Sequence, residues 1–292
     1  MLKYRLVSGI TLVLALILAA IYLPPLGAWL LLMVISTLAQ WEFYAMMNMA
    51  GIPVFRMVGI LCGGAMITAT FCTIGPSTED IARAYRWEQL IMIVTLIAVF
   101  LRQFPQKFND KPIATIGCTL LGIWYVPFLF NFFTRLAFVW DSAGGSPGHI
   151  SETARMLVFY LVLAVKMTDV GAYTTGRLFG KHKLIPRISP NKTVEGFFGG
   201  IAFAVIASCI FAWAVDFRMG VVSFPMMHAV ILGVVLALSG TAGDLFESLI
   251  KRASGAKDSG VVLPGMGGLL DVLDSLLFGA PVLYLYARLV LV

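Results

Sequence analysis

The chain has 292 residues, of which 60% are hydrophobic and only 12% are charged. Soluble domains carry about 25% charged residues, so the composition excludes an ordinary soluble enzyme and indicates a membrane protein. The formal net charge is +6, and the placement of basic residues around the apolar segments explains this charge without a nucleic-acid partner.

Long apolar segments follow one another along the chain. A membrane-spanning helix needs about 20 mostly apolar residues, and about nine segments meet that need. They are residues 6–23, 27–48, 54–75, 88–104, 113–138, 154–177, 194–216, 224–250 and 268–290. Segment 6–23 is interpreted as a retained anchor, because no small-residue cleavage site precedes "YLPPLG" and further spans follow. The sequence therefore predicts an all-α polytopic membrane protein.

The basic residues predict the orientation of these spans. If the N-terminus lies inside, the predicted inner loops hold most of the 21 lysines and arginines, among them Arg102, Lys111, Arg177 and Lys251. Inner loops of membrane proteins carry an excess of Lys and Arg. Nine spans then predict an N-terminus inside and a C-terminus outside.

Ionisable residues are distributed unevenly between the two halves of the chain. Before residue 150 the predicted spans carry few charges except near their ends. From residue 160 onward, charged residues enter the spans themselves: Lys166, Asp169, Glu195, Asp244, Glu247, Asp271 and Asp274. Charges inside a membrane are costly unless paired, hydrated or bound to an ion, and so mark function. We therefore predict a hydrophobic scaffold over 1–150 and a catalytic domain over 151–292.

Two predicted helices place acidic and polar side chains on one face each. Residues three and four apart are neighbours on a helix. One face consists of Asp244, Glu247, Ser248 and Lys251, and the other of Asp271, Asp274 and Ser275. By the same spacing, Lys166 and Asp169 are candidates for a structural ion pair. Such acidic faces suit an enzyme site, and they equally suit the ion path of a cation-coupled transporter.

The stretch between these two faces, "LIKRASGAKDSGVVLPGMGG", has a composition that suits polyphosphate binding. Its cations, which can neutralise phosphate oxygens, are Lys251, Arg252 and Lys257. Its glycines, which let backbone N–H groups approach an anion before a helix start, are Gly265, Gly267 and Gly268. Asp271 and Asp274 add the oxygen ligands that Mg²⁺ prefers.

A second basic stretch, "RLFGKHKLIPRISPNKTVEGFFGG", covers residues 177–200 and is also predicted to lie inside. Ser189 and Pro190 predict a turn before a helix that begins near Lys192 and Thr193, and Glu195 then enters the next span. An alternative interpretation is a basic loop that holds anionic lipid headgroups.

These motifs resemble the signature of the phosphatidate cytidylyltransferases, also called CDP-diacylglycerol synthases, which reads roughly S-x-x-K-R-x4-K-D-x5-P-G-H-G-G-x-x-D-R-x-D. The matching residues are Ser248, Lys251, Arg252, Lys257, Asp258, Pro264, Gly265, Gly267, Gly268, Asp271 and Asp274. Residues 169–176, 189–196 and 244–248 match further family features. The chain departs from the pattern at Met266, where the signature has His, at Val272, where it has Arg, and at Asn191, where Lys is frequent.

The resemblance implies that the chain transfers CMP from CTP to phosphatidic acid, which gives CDP-diacylglycerol and pyrophosphate for phospholipid biosynthesis. It implies Mg²⁺ as cofactor, with room for a second cation such as K⁺. It also implies a homodimer among membrane lipids. Because the basic stretches that carry these motifs are predicted to lie inside, we expect the active site to face the cytoplasm, in the cytoplasmic membrane. The core motif leaves two related activities open, those of a polyprenol kinase and of an archaeol-type cytidylyltransferase.

The resemblance also assigns roles to residues. The implied metal ligands are Asp244 and Asp271, joined by Asp274 and Glu247 as further ligands or support. The implied catalytic set is Asp244, Asp271, Asp274, Lys251 and Lys257. The implied substrate-binding residues are Ser189, Lys192, Thr193, Glu195, Ser248, Arg252, Asp258, Gly265, Gly267 and Gly268.

Overall fold

A computed structural model describes residues 23–75, 77–107, 109–140, 150–256, 258–260 and 267–291. The α-helices are α1 (Pro25–Met49), α2 (Arg56–Thr73), α3 (Thr78–Gln103), α4 (Pro112–Ile123), α5 (Leu129–Phe138), α6 (Glu152–Phe179), α7 (Val194–Ala214), α8 (Met226–Ser254) and α9 (Leu270–Tyr286). A π-helical stretch, Trp124–Phe128, joins α4 to α5, and another, Ala287–Leu291, extends α9. Two short antiparallel hairpins pair β1 (Lys183–Ile185) with β2 (Ser189–Thr193), and β3 (Arg218–Met219) with β4 (Val222–Ser223).

Eight helical segments within these described ranges are long and apolar enough to cross a membrane. They correspond to the last eight predicted spans, so the predicted all-α polytopic class is confirmed. Segment 6–23 lies outside the described residues, and the count of nine spans and the orientation of the termini stay predictions.

One predicted span begins earlier than hydropathy indicates. Helix α3 starts at Thr78, whereas the apolar run predicts a start at residue 88. The Ser77 side chain caps the helix by accepting a hydrogen bond from the backbone N–H of Asp80, and Glu79 and Asp80 lie in the first turn. Carboxylates near a helix N-terminus are favourable. The extra turns are therefore specified by a cap and by charge, which hydropathy does not detect.

The described residues form two compact units. The first comprises those up to Ser151 together with Ile250–Leu273, and the second comprises Glu152–Leu249 and those from Asp274 onward. Helices α8 and α9 each contribute residues to both units. The prediction that 1–150 acts as a scaffold and 151–292 as a catalytic domain concerns function and stays a prediction.

The core of the first unit contains polar groups as well as apolar ones. Tyr44 is buried, and its hydroxyl group donates to the carbonyl oxygen of Thr119 at 2.9 Å. Arg135 of α5, with 1% of its surface exposed, forms an ion pair with the buried Glu88 of α3. The sequence places Arg135 at the end of a span, where water would solvate it. Instead, a carboxylate of a neighbouring helix compensates its charge inside the unit.

Helices α6 and α7 of the second unit pack closely because glycines face each other. A Cβ atom at Gly199 would collide with the side chain of Thr175, and one at Gly171 would come within 2.5 Å of Phe203. Gly171 belongs to the family feature 169–176, and Gly199 lies three residues after the feature 189–196. Their role in the structure is to let two helices approach, which brings the polar ends of α6 and α7 together.

Candidate active site

Three carboxylates converge in the second unit. Asp244 and Glu247 lie one turn apart on α8, and Asp274 lies in the first half of α9. One oxygen of each lies within 4.8 Å of the others. Glu247 has none of its surface exposed and Asp274 has 5% exposed. Packing at Gly243 sets this approach, since a Cβ atom there would collide with the carbonyl oxygen of Asp274.

The chemistry of this cluster favours a cation. Three ionised carboxylates at such short range would repel one another strongly, because Glu247 and Asp274 are buried. Hard divalent cations take carboxylate oxygens as ligands, and Mg²⁺ combines one or two carboxylates with substrate phosphates. Asp244, Glu247 and Asp274 therefore have the donor type and the spacing that could hold Mg²⁺.

A lysine from the hairpin joins the acidic cluster. Lys192 lies on β2, and its Nζ is 2.6 Å from Oδ2 of Asp244. The predicted helix start near Lys192 and Thr193 is confirmed, since α7 begins at Val194 with Thr193 as its N-cap. The turn predicted at Ser189 and Pro190 is wrong: Ser189–Thr193 form a strand, and the turn lies at 186–188. The strand pairs with β1, and this pairing fixes the backbone from which Lys192 reaches Asp244.

Two further predicted substrate ligands hold this hairpin in place. The Thr193 hydroxyl caps α7 by accepting the N–H of Gly196 at 3.1 Å. Glu195 accepts hydrogen bonds from the backbone N–H groups of Lys181 and His182, and its Oε1 lies 2.6 Å from Nδ1 of His182. Both side chains are thus engaged in shaping the loop that carries Lys192. Their predicted contact with substrate stays a prediction.

The candidate ion pair on α6 is confirmed. Nζ of Lys166 lies 3.4 Å from Oδ2 of Asp169, one turn along the same helix.

A second polar cluster lies in the first unit, around Asp271. Its Oδ1 is 2.8 Å from Nζ of Lys251, and its Oδ2 accepts the backbone N–H groups of Ser259 at 3.0 Å and Gly268 at 2.7 Å. Asp271 is therefore held by a lysine and by two backbone donors, whereas the three converging carboxylates are Asp244, Glu247 and Asp274. Its implied role as a leading metal ligand stays a prediction.

The remaining predicted residues are placed as follows. Ser248 lies one turn after Asp244, with Oγ 3.4 Å from Oδ1 of that carboxylate. Arg252 and Asp258 are exposed. Gly267 has a φ of 97°, a conformation that glycine adopts at no steric cost. Lys257, Pro264, Gly265 and Met266 lie outside the described residues, so their predicted roles stay predictions.

The structure also brings in a residue that the sequence reasoning missed. Glu42 of α1 accepts hydrogen bonds from the backbone N–H groups of Leu269 and Leu270, at the start of α9. A signal was present, since Glu42 is a carboxylate inside an otherwise apolar span and intramembrane charges mark function. The signal is weak because the charges of the later spans cluster in sequence, whereas Glu42 stands alone in its span.

Comparison with known proteins connects these clusters to one family. The model of the cytidylyltransferase family matches residues 3–290. The phosphatidate cytidylyltransferase of Staphylococcus epidermidis is 34% identical over 274 residues, which cover 92% of this chain and 95% of the relative. That of Staphylococcus aureus strain COL is 35% identical over 285 residues, which cover 95% of this chain and 96% of the relative.

The match runs through both units and includes every described residue of the two polar clusters. The resemblance drawn from the spacing of lysines, glycines and aspartates is thereby confirmed, and the relatives carry a name for the same class of enzyme. The chain belongs to the cytidylyltransferase family.

Proposed function

We propose that this chain is a phosphatidate cytidylyltransferase, which transfers the CMP group of CTP to phosphatidic acid. A phosphate oxygen of the lipid forms a bond to the α-phosphorus of CTP, and the bond from that phosphorus to the bridging oxygen breaks. The products are CDP-diacylglycerol and pyrophosphate. The observation that carries the proposal is the convergence of Asp244, Glu247 and Asp274 beside Lys192 in a chain of this family.

The residues suit the chemical problem, which is mainly electrostatic. The attacking lipid phosphate is already an anion, so no strong general base is needed. The enzyme must instead hold an anion near a triphosphate and compensate the charge that develops on pyrophosphate. We assign phosphate binding to Lys192 and Lys251, whose ammonium groups now lie against Asp244 and Asp271 at 2.6 and 2.8 Å. These lysines exchange part of a carboxylate contact for a phosphate contact when substrate binds.

We assign Mg²⁺ to Asp244, Glu247 and Asp274, because their oxygens converge and are of the type that Mg²⁺ prefers. When bound, Mg²⁺ supplies positive charge that compensates the phosphates. A second cation such as K⁺ and a ligand role for Asp271 are part of the same proposal.

The site is proposed to face the cytoplasm, in the cytoplasmic membrane. Within the first unit, Glu42 near the C-terminal end of α1 contacts the start of α9, and Lys111 before α4 reaches the carbonyl oxygen of Gly51 after α1 at 3.2 Å. The positive-inside distribution predicts that the C-terminal end of α1, the loop after it, the residues before α4 and the start of α9 all lie inside. CTP is a soluble nucleotide, and this side would give it access from the cytoplasm.

The test is turnover by purified protein in lipid nanodiscs with Mg²⁺ and CTP. With phosphatidic acid we expect pyrophosphate release and a product of the mass of CDP-diacylglycerol. Release of CDP with a polyprenol acceptor would show a kinase instead, and faster turnover with an isoprenoid ether phosphate would show the archaeol-type activity. No product with any acceptor, beside an active Staphylococcus relative run in parallel, would refute enzymatic transfer and leave the cation-coupled transporter.

We further propose a homodimer, as the family resemblance implies. Light scattering of the protein in detergent, with the detergent contribution subtracted, measures the mass of the protein part. A mass of one chain would contradict the proposal.

A further inference from the structure

Glu42 is a buried carboxylate in the part of the chain predicted to be a hydrophobic scaffold. It has 4% of its surface exposed and lies seven residues before the end of α1. Its Oε1 accepts the N–H of Leu269 at 2.9 Å, and its Oε2 accepts the N–H of Leu270 at 2.8 Å and the hydroxyl of Ser259 at 3.2 Å. Burying a carboxylate inside a membrane protein without hydrogen-bond donors costs several kcal/mol. The three donors therefore stabilise Glu42 at this position.

Two of these donors are the groups that a helix start leaves without a partner. The first N–H groups of a helix have no intrahelical acceptor, and the helix dipole attracts a negative charge to them. The glycines before α9 predict that this helix start binds a substrate phosphate. The carboxylate of Glu42 accepts these N–H groups instead, so a side chain of α1 supplies the negative charge at the start of α9.

The glycines around this contact fit the same explanation. A Cβ atom at Gly260 would come within 2.5 Å of Oε1 of Glu42, and one at Gly268 would collide with Oε2 of Glu42 and Oγ of Ser259. Gly268 matches a glycine of the family signature. Its small size is needed here so that the backbone can approach Glu42, a protein carboxylate.

The contact leads directly to a residue of the proposed mechanism. Ser259 and Gly268, which border Glu42, are the residues whose backbone N–H groups hold Oδ2 of Asp271. Asp271 in turn holds Lys251. Glu42 therefore fixes the backbone donors that orient the Asp271–Lys251 pair, although it contacts neither of those two side chains through its hydrogen bonds described above.

From this geometry we infer that Glu42 is a positioning residue: it anchors Ser259 and the first turn of α9 to α1, and thereby sets Asp271 and Lys251 for catalysis. The catalytic half of this inference rests on the proposed function, and the anchoring half does not. A consequence is that the N–H groups of Leu269 and Leu270 do not bind phosphate, since Glu42 already accepts both.

The experiment compares Glu42→Gln with the wild-type protein by hydrogen exchange and by steady-state kinetics, both in nanodiscs. Glutamine keeps the shape but offers one acceptor oxygen and an NH₂ group that opposes the donors. We expect faster exchange in peptides covering 267–275 and a kcat lower by about 10- to 100-fold, as for other small misplacements, with the KM for CTP nearly unchanged. Glu42→Asp keeps the charge, so its exchange in 267–275 and its kcat should both lie between those of Glu42→Gln and the wild-type protein.

The matched control is Gln40→Met, on the same helix. Gln40 is buried and donates to the hydroxyl of Tyr44 at 3.2 Å, away from α9. This variant loses a buried hydrogen bond of α1, and we expect wild-type exchange in 267–275 and wild-type kcat. Loss of kcat in both variants to the same extent would show a general effect on stability and overturn the inference.

Three outcomes separate the inference from the proposed function. Unchanged exchange in Glu42→Gln overturns the anchoring, and faster exchange with wild-type kcat overturns the positioning role. If the wild-type protein itself transfers no CMP, the proposed function fails while the exchange result still decides the anchoring. Should Glu42→Gln not fold, Ser259→Ala removes one donor alone, and unchanged exchange and kcat in it would overturn the inference.

Discussion

Lys192 and Asp244 form an ion pair with 2.6 Å between Nζ and Oδ2, and this pair connects the hairpin before α7 with the acidic face of α8. The two residues come from separate sequence motifs. Their contact brings a candidate phosphate ligand and a candidate metal ligand into one cluster. It also makes the charge balance of that cluster testable.

Asp244→Asn should lower kcat by about 100-fold or more, because it removes a charge from the three carboxylates and the partner of Lys192. Pyrophosphate release measures the effect. Asp216→Asn is the control, since Asp216 is an exposed acid of the same unit with a positive φ that Asn tolerates. Turnover near the wild-type rate in Asp244→Asn would contradict the metal assignment.

Asp271→Asn should abolish turnover while the protein still folds. The amide oxygen can still accept the N–H groups of Ser259 and Gly268, but the negative charge opposite Lys251 is lost. Pyrophosphate release and thermal unfolding are measured together, with the exposed Asp110→Asn as control. If activity persists, Asp271 is neither a ligand nor a required partner of Lys251.

Gly199→Ala should destabilise the second unit by about 1–3 kcal/mol, since the added Cβ collides with Thr175 where α6 and α7 approach. Gly117→Ala is the matched control on α4, because a Cβ there meets nothing within 4 Å. Thermal unfolding in detergent measures the midpoint of each variant against that of the wild-type protein. Equal midpoints for the two variants would show that the close helix contact is not needed.

Glu88→Leu should destabilise the first unit by about 3–5 kcal/mol, because it leaves the charge of Arg135 buried beside an apolar group. The double variant Glu88→Leu, Arg135→Leu should recover much of that loss, since no uncompensated charge remains. A double-mutant cycle on the unfolding free energies gives the coupling. Additive effects would exclude a significant interaction.

Val272→Arg restores the family residue but should lower stability here, by about 1–3 kcal/mol. Val272 has 6% of its surface exposed in the first turn of α9, so a guanidinium group enters a buried position. Val272→Leu keeps the position apolar and serves as control. A higher kcat with unchanged stability in Val272→Arg would show instead that the valine tunes the rate.

The sequence alone determined the class of protein and the family. The lengths of the apolar segments predict helices that cross a membrane, because a bilayer fixes the number of residues needed. The spacing of Asp244 with Glu247, three residues apart, predicts a shared helix face, because neighbours on a helix are set by its period. Both kinds of inference use only local geometry.

Only the tertiary structure decided which of the charged residues meet. Asp271 and Asp274 share a helix face, yet Asp271 pairs with Lys251 and Asp274 converges with Asp244 and Glu247. Glu42 reaches Leu270 across 228 positions of the chain. Helical periodicity relates residues a few positions apart, whereas contacts of this kind depend on how whole helices pack. For that reason a lone carboxylate in an apolar span gave no sign of the helix start that it holds.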